Sequence, residues 1–234
     1  PPPPPRSPAR LPPLQRPAPK AKAADPAWLR AFMFAHNAFL VGLSLWMCLS
    51  ATHEALFVRG YNFWGQAFDP REHRMARIVH VFYLSKLYEF FDTYIMIARG
   101  NLRQVSFLHV YHHVSISLFW WAIAYCAPGG EAWYSLALNS LVHVLMYSYY
   151  LLASIGGADA AFKRRWLWWG KYMTLFQISQ FVSMLGQAAY CLLAPSPYPR
   201  GVSNIYFYYM ISLLALFGNF FAKKHLAGGR KKAQ

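Results

Sequence analysis

The sequence predicts an all-α membrane protein: a polytopic helical bundle with six transmembrane helices. Three observations predict it. Of 234 residues, 56% are apolar and only 13% charged, where an ordinary soluble domain carries about 25% charged residues. Six apolar runs are each long enough to cross roughly 30 Å of hydrocarbon at about 1.5 Å per residue. Most of the connections between them are short and carry turn residues.

The elements follow in order. Residues 1–27 hold six Pro in the first eight positions, so they can neither form a helix nor bury a core, and a disordered basic arm is expected there. The arm lacks the apolar stretch of a signal peptide. Its start at Pro rather than Met fits a truncated or processed product. The predicted spans are 29–51, 77–98, 105–126, 132–155, 166–193 and 203–222, within one domain over 28–226. RGN (99–101), APGGE (127–131), IGGAD (155–159) and APSPYPRG (194–201) join them, whereas 52–76 is a longer, more polar loop. Residues 227–234 form a basic tail.

A net charge of +15 would suggest a nucleic-acid partner in a soluble chain. Here the basic residues lie mostly between or outside the apolar runs, where they orient a membrane protein instead. The arm with its junction, the 99–104 loop, the 156–165 loop and the tail hold 6, 2, 3 and 5 Lys and Arg. The opposite side holds Arg59, Arg71, Arg74, Arg77 and Arg200. Both termini are therefore expected in the cytosol. Cys48, Cys126 and Cys191 form no CxxC pair and no disulfide framework.

Polar groups inside the spans are costly and face a cavity or one another. At about 100° per residue, Lys86, Glu89 and Asp92 share one helix face, as do His109, His112 and His113. Asn139, His143, Tyr147 and Tyr150 share another, and Thr174, Gln177 and Gln180 a fourth. With alternating span direction these groups fall at one depth, toward the cytosolic side. A polar chamber above an apolar channel is the expected arrangement. His36, Thr174 and Gln180, taken singly, read equally well as contacts between helices.

HxxHH invites a metal, because neutral imidazole ligates iron and zinc. Membrane di-iron enzymes spread more histidines over several boxes, and this chain has one box. A single zinc on His109, His113 and His143 stays open. The alternative is acyl transfer: a buried neutral imidazole is a competent nucleophile toward a thioester. A second imidazole could move protons, and Asn or Tyr groups could stabilise an oxyanion. No GxSxG elbow competes for the role.

KLYEFFDT (86–93), QVSFLHVYHH (104–113), NSLVHVLMYSYY (139–150) and KYMTLFQISQF (171–181) resemble, in order and spacing, the motifs of the ELO family of very-long-chain fatty acid elongases. The resemblance covers about 28–226, and its look is nearest to algal and protist elongases of polyunsaturated chains. It implies a 3-oxoacyl-CoA synthase of the endoplasmic reticulum membrane, built as helices around an acyl tunnel. Acyl-CoA and malonyl-CoA would condense to 3-oxoacyl-CoA, CO2 and CoA, without a cofactor or metal. By match to the histidine box, His112 would form an acyl-imidazole. His143 would be its proton-transfer or positioning partner, and His109 and His113 would complete the catalytic pocket. Lys86, Asn139, Tyr147 and Lys171 would contact CoA or the malonyl group, with Glu89, Asp92 and Gln177 as further substrate-binding candidates. Arg103, Lys163, Arg164 and Arg165 lie where CoA phosphates should approach. Membrane lipids are the surroundings, and the resemblance leaves room for a homodimer and for other elongation-cycle enzymes. A metal-dependent lipid desaturase or hydroxylase, or a transporter, are the competing classes.

Two departures stand out. The family has seven spans, and the first is missing here. Gly170 stands in WWGKY (168–172), where relatives often carry a second lysine. The last four residues, KKAQ, fit a cytosolic endoplasmic-reticulum retrieval signal.

Overall fold

The structure, a computed structural model, describes residues 25–157, 159–194 and 196–230, with side chains as far as 223. The basic arm before residue 25 and the KKAQ signal lie outside the described residues. Those residues form eight α-helices and no strand.

Helix α1 (Ala27–Thr52) starts after Pro26, whose fixed backbone suits a helix start, and runs on through one wide turn to Val58. Helices α2 (His73–Tyr88) and α3 (Phe90–Ala98) divide the single predicted span 77–98 at Glu89. The cause is one tightened turn, in which Asp92 N–H bonds the Glu89 carbonyl three residues back. Helix α4 (Phe107–Cys126) begins where the Ser106 hydroxyl accepts from the His109 amide at 3.2 Å, an ordinary N-cap. Helix α5 (Ala132–Gly156) matches its prediction within a residue.

The predicted span 166–193 is not continuous. Asp159 caps a short helix, α6 (Ala160–Trp166), then a 3₁₀ stretch covers Trp168–Tyr172, and only α7 (Met173–Leu193) is a regular long helix. Within the break Gly170 leaves room for a neighbour: a Cβ there would stand 2.1 Å from the Tyr149 ring. Helix α8 (Arg200–Arg230) runs past the predicted 222.

Counting α2 and α3 as one broken helix, six long segments correspond to the six predicted spans, and the molecule is a polytopic helical membrane bundle. Ala27–Val58, Ala132–Gly156 and Arg200–Lys223 are apolar and long enough to cross a membrane by composition alone. Helices α2 and α3, divided at Glu89, are each too short to cross alone. The segments pack in a ring, in the order α1, α5, α7, α8, α4, α2 and back to α1, with a further contact between α2 and α5. The ring therefore closes, and its interior is walled off from lipid. Outward side chains such as Leu118, Leu175, Val182 and Ile205 are exposed and apolar, as a lipid-facing surface requires.

One end of the ring is sealed. The 59–72 loop crosses it, with the Tyr61 hydroxyl on Glu72 and the Gln66 amide on Glu131. Gly130 (φ +53°) lets this loop come close: a Cβ at 130 would meet the Ala67 carbonyl oxygen at 2.6 Å.

Candidate active site

A cavity of about 470 Å³ occupies the other half of the ring. Side chains from α1, α3, α4, α5, α7 and α8 line it. Among them are His109, His112, His113 and His143, the carboxylates Glu89 and Asp92, and Asn139, Tyr147, Tyr150, Gln177 and Gln180. The four faces read from helical phase thus meet in one chamber. Its mouth carries Arg99, Gln104 and Lys163.

The imidazoles differ in their ties. His109 Nε2 bonds the Thr93 hydroxyl at 2.8 Å, and its ring lies 4.4 Å from that of His113. His113 is buried, with an unpartnered Nδ1. His143 Nδ1 faces Glu89 Oε1 at 3.2 Å, which leaves Nε2 as the ring nitrogen available to the cavity. His112 is half-buried and makes only ring contacts, to His113 at 5.4 Å and edge-on to Phe217 at 6.0 Å. Its imidazole makes no hydrogen bond to the described residues, a state it shares with the neighbouring His113.

Each carboxylate is held by two groups. Glu89 Oε1 accepts from Lys86 Nζ at 2.8 Å, the same oxygen that His143 Nδ1 faces, and Oε2 is left without a partner. Asp92 accepts from the Tyr147 hydroxyl at 2.6 Å and pairs with His36 at 2.9 Å. Burying a carboxylate requires such partners, since an unpaired charge in a low-dielectric interior is costly.

Two predicted substrate contacts stand elsewhere. Lys86 is 1% exposed and does not line the cavity; its ammonium bonds Glu89 and the Asn139 side-chain oxygen (3.0 Å) and sits over the Phe82 ring. Lys171 is exposed outside the cavity, its Nζ 4.8 Å from the Tyr172 ring centroid. Of the four loop cations, Lys163 reaches the lining and Arg103, Arg164 and Arg165 do not. Sequence reasoning missed Arg99 and Asn37 as lining residues, and it read His36 only as a contact between helices. Arg99 was counted only toward orientation, while His36–Asn37, adjacent polar residues in an apolar run, were the available signal. No three His, Cys, Asp or Glu side chains among the described residues are grouped to hold a metal ion.

Beyond the chamber two smaller voids continue toward the sealed end. The first, about 10 Å³, shares Asn139, Gln180 and Phe181 with the main cavity. The second, about 30 Å³, shares Phe119, Trp120, Ser135 and Tyr206 with the first. At the blind end, Gln187 donates to the Glu131 carboxylate at 2.7 Å and accepts from Ser135 at 3.0 Å. The voids form an interrupted line, polar at the mouth, aromatic in the middle and closed at the end.

Comparison with known proteins agrees with this architecture. The family model described as ELO: GNS1/SUR4 matches residues 17–233. "Very long chain fatty acid elongase 5" of Xenopus tropicalis is 37% identical over 215 residues, covering 89% of this chain and 71% of that protein. The human protein of the same name is 36% identical over 212 residues, 89% and 69% of the two chains. "Fatty acid elongase 6" of Leishmania major is 42% identical over 204 residues, covering 83% of this chain and 52% of the relative. With nearly the whole chain matched and the motif residues gathered in one chamber, the protein belongs to the ELO (GNS1/SUR4) family.

Proposed function

We propose that this chain is the condensing enzyme of fatty acid elongation, a 3-oxoacyl-CoA synthase working on long-chain, polyunsaturated acyl-CoA. The observation that carries the reading is a polar chamber lined by His112 and three further imidazoles, beyond which an interrupted line of small voids runs to the sealed end. Such a line suits an acyl chain whose thioester stays among the histidines.

His112 attacks the thioester carbon, the C–S bond breaks, and CoA leaves as the thiol with the proton given up by the imidazole. Malonyl-CoA then loses CO2. The freed electron pair forms the new C–C bond at the acyl carbon, and the C–N bond to His112 breaks. The overall reaction consumes one proton, and we assign its delivery to His143, whose Nδ1 lies 3.2 Å from Glu89 Oε1. Arg99 and Lys163 at the mouth suit the CoA phosphates. The excess of Lys and Arg in the mouth-side loops supports a cytosolic mouth and cytosolic termini, and residence in the endoplasmic reticulum membrane is what the family resemblance implies.

Purified protein given acyl-CoA alone should carry the acyl mass on a peptide containing His112 and release CoA before malonyl-CoA is added. His112→Ala should lose both the adduct and the product, and chelator should change neither in the wild type. An adduct that persists in His112→Ala, or activity lost to chelator and restored by iron or zinc, would overturn this reading.

A further inference from the structure

His36 is 1% exposed on α1. Its ring stacks between Phe32 and Tyr88, at centroid distances of 5.9 and 5.3 Å, and meets Phe91 and Tyr147 edge-on. Four aromatic rings would accept a hydrocarbon side chain in its place, so packing alone does not call for an imidazole. Its hydrogen bond goes to Asp92, from Nε2 to Oδ1 at 2.9 Å, and Nδ1 is buried without a partner. Facing a carboxylate, Nε2 must be the protonated nitrogen.

The consequence lies one step away. Asp92 Oδ2 accepts from Tyr147 at 2.6 Å, so both carboxylate oxygens are taken, one from α1 and one from α5. Tyr147 sits one helical turn after His143, the two rings edge-on at 5.7 Å. Fixing Asp92 therefore fixes the phenol that flanks His143. His112 makes no hydrogen bond to this chain of groups. We infer that His36 is a positioning residue for the condensation step: acting through Asp92, it locks Tyr147 and with it the ring of His143. The inference rests on the elongase reading for its reaction.

Without the donor on α1, the Asp92 carboxylate is free to turn toward the chamber and Tyr147 loses its fixed acceptor. Misplacement of a catalytic group by about 1 Å costs up to about a hundredfold in rate. Only the stage that uses His143 should suffer.

The test separates the two half-reactions. His36→Phe keeps the aromatic packing and removes the donor, whereas His36→Gln offers an amide N–H near the position of Nε2. His36→Phe should form the His112 adduct at the wild-type rate but pass the acyl group to malonyl-CoA about tenfold more slowly. KM for both CoA substrates and the melting temperature should stay near wild type, and His36→Gln should recover most of the condensation rate. Equal loss of both stages in Phe and Gln alike, with a lowered melting temperature, would make His36 a packing residue. Unchanged condensation in His36→Phe would remove the role altogether. A wild type that makes no 3-oxoacyl product would instead sink the elongase reading. The positioning claim then still faces a second measurement, the ultraviolet resonance Raman spectrum of Tyr147, isolated as wild type minus Tyr147→Phe. Its donor signature should change in His36→Phe, and an identical spectrum would overturn the claim.

Discussion

Lys86 and Glu89 are both about 1% exposed and lie three residues apart, ammonium to carboxylate at 2.8 Å. Removing one partner of a buried pair leaves the other charge uncompensated, a loss of roughly 3–5 kcal/mol. Lys86→Met should accordingly lower the melting temperature strongly while leaving KM for malonyl-CoA near wild type in the folded fraction. A raised KM with unchanged stability would restore Lys86 as a substrate contact. In the double variant Lys86→Met/Glu89→Gln both charges are gone, and much of the stability should return without the activity, because His143 stays unanchored. At this scale the sequence was informative about direction and silent about neighbours. Helical phase aimed Glu89, Asp92, Asn139, His143, Tyr147 and Gln177 into one space, and the structure puts them all there. Lys86 shares the phase of Glu89, yet the side-chain oxygen of Asn139 on α5 takes its ammonium, a lateral contact that no single-helix pattern contains.

The two interruptions of regular helix, at Glu89 and across 167–172, are the features of the elements that hydropathy did not reveal. An apolar run stays apolar through one tightened turn, so 77–98 read as continuous. At the second break Tyr149 lies against Gly170, a contact between distant residues that hydropathy does not contain. The aromatic middle of the ring was legible only in part. Phe119 and Trp120 border both inner voids. Trp133 and Tyr190, equally deep and equally aromatic by sequence, pack instead against the 59–72 loop through Phe63 and Trp64. Phe119→Ala should therefore open the line of voids and shift products to longer chains. Trp133→Ala and Tyr190→Ala should leave the chain-length distribution alone, and chromatography of the product acids distinguishes the cases. Equal product profiles in all three would separate the voids from chain length.

For the whole molecule, closure of the helix ring leaves one open end, and the polar loops near 99–104 and 156–165 both belong to it. Topology can be read directly in a variant lacking Cys48, Cys126 and Cys191. A cysteine at Leu102, which is exposed near the mouth, should react with a membrane-impermeant maleimide added outside sealed microsomes. One at Phe63, exposed in the sealing loop, should react only after detergent. The reverse pattern would invert the molecule in the membrane. At the same open end, Arg99 of the lining holds the Asp25 carboxylate at 2.8 Å, two residues before α1 begins. The start of α1 is thus tied to a residue of the cavity's own lining. Asp25→Ala, which releases Arg99, therefore acts on the entrance from outside the cavity, as a loosened hinge pin alters a door without touching its lock.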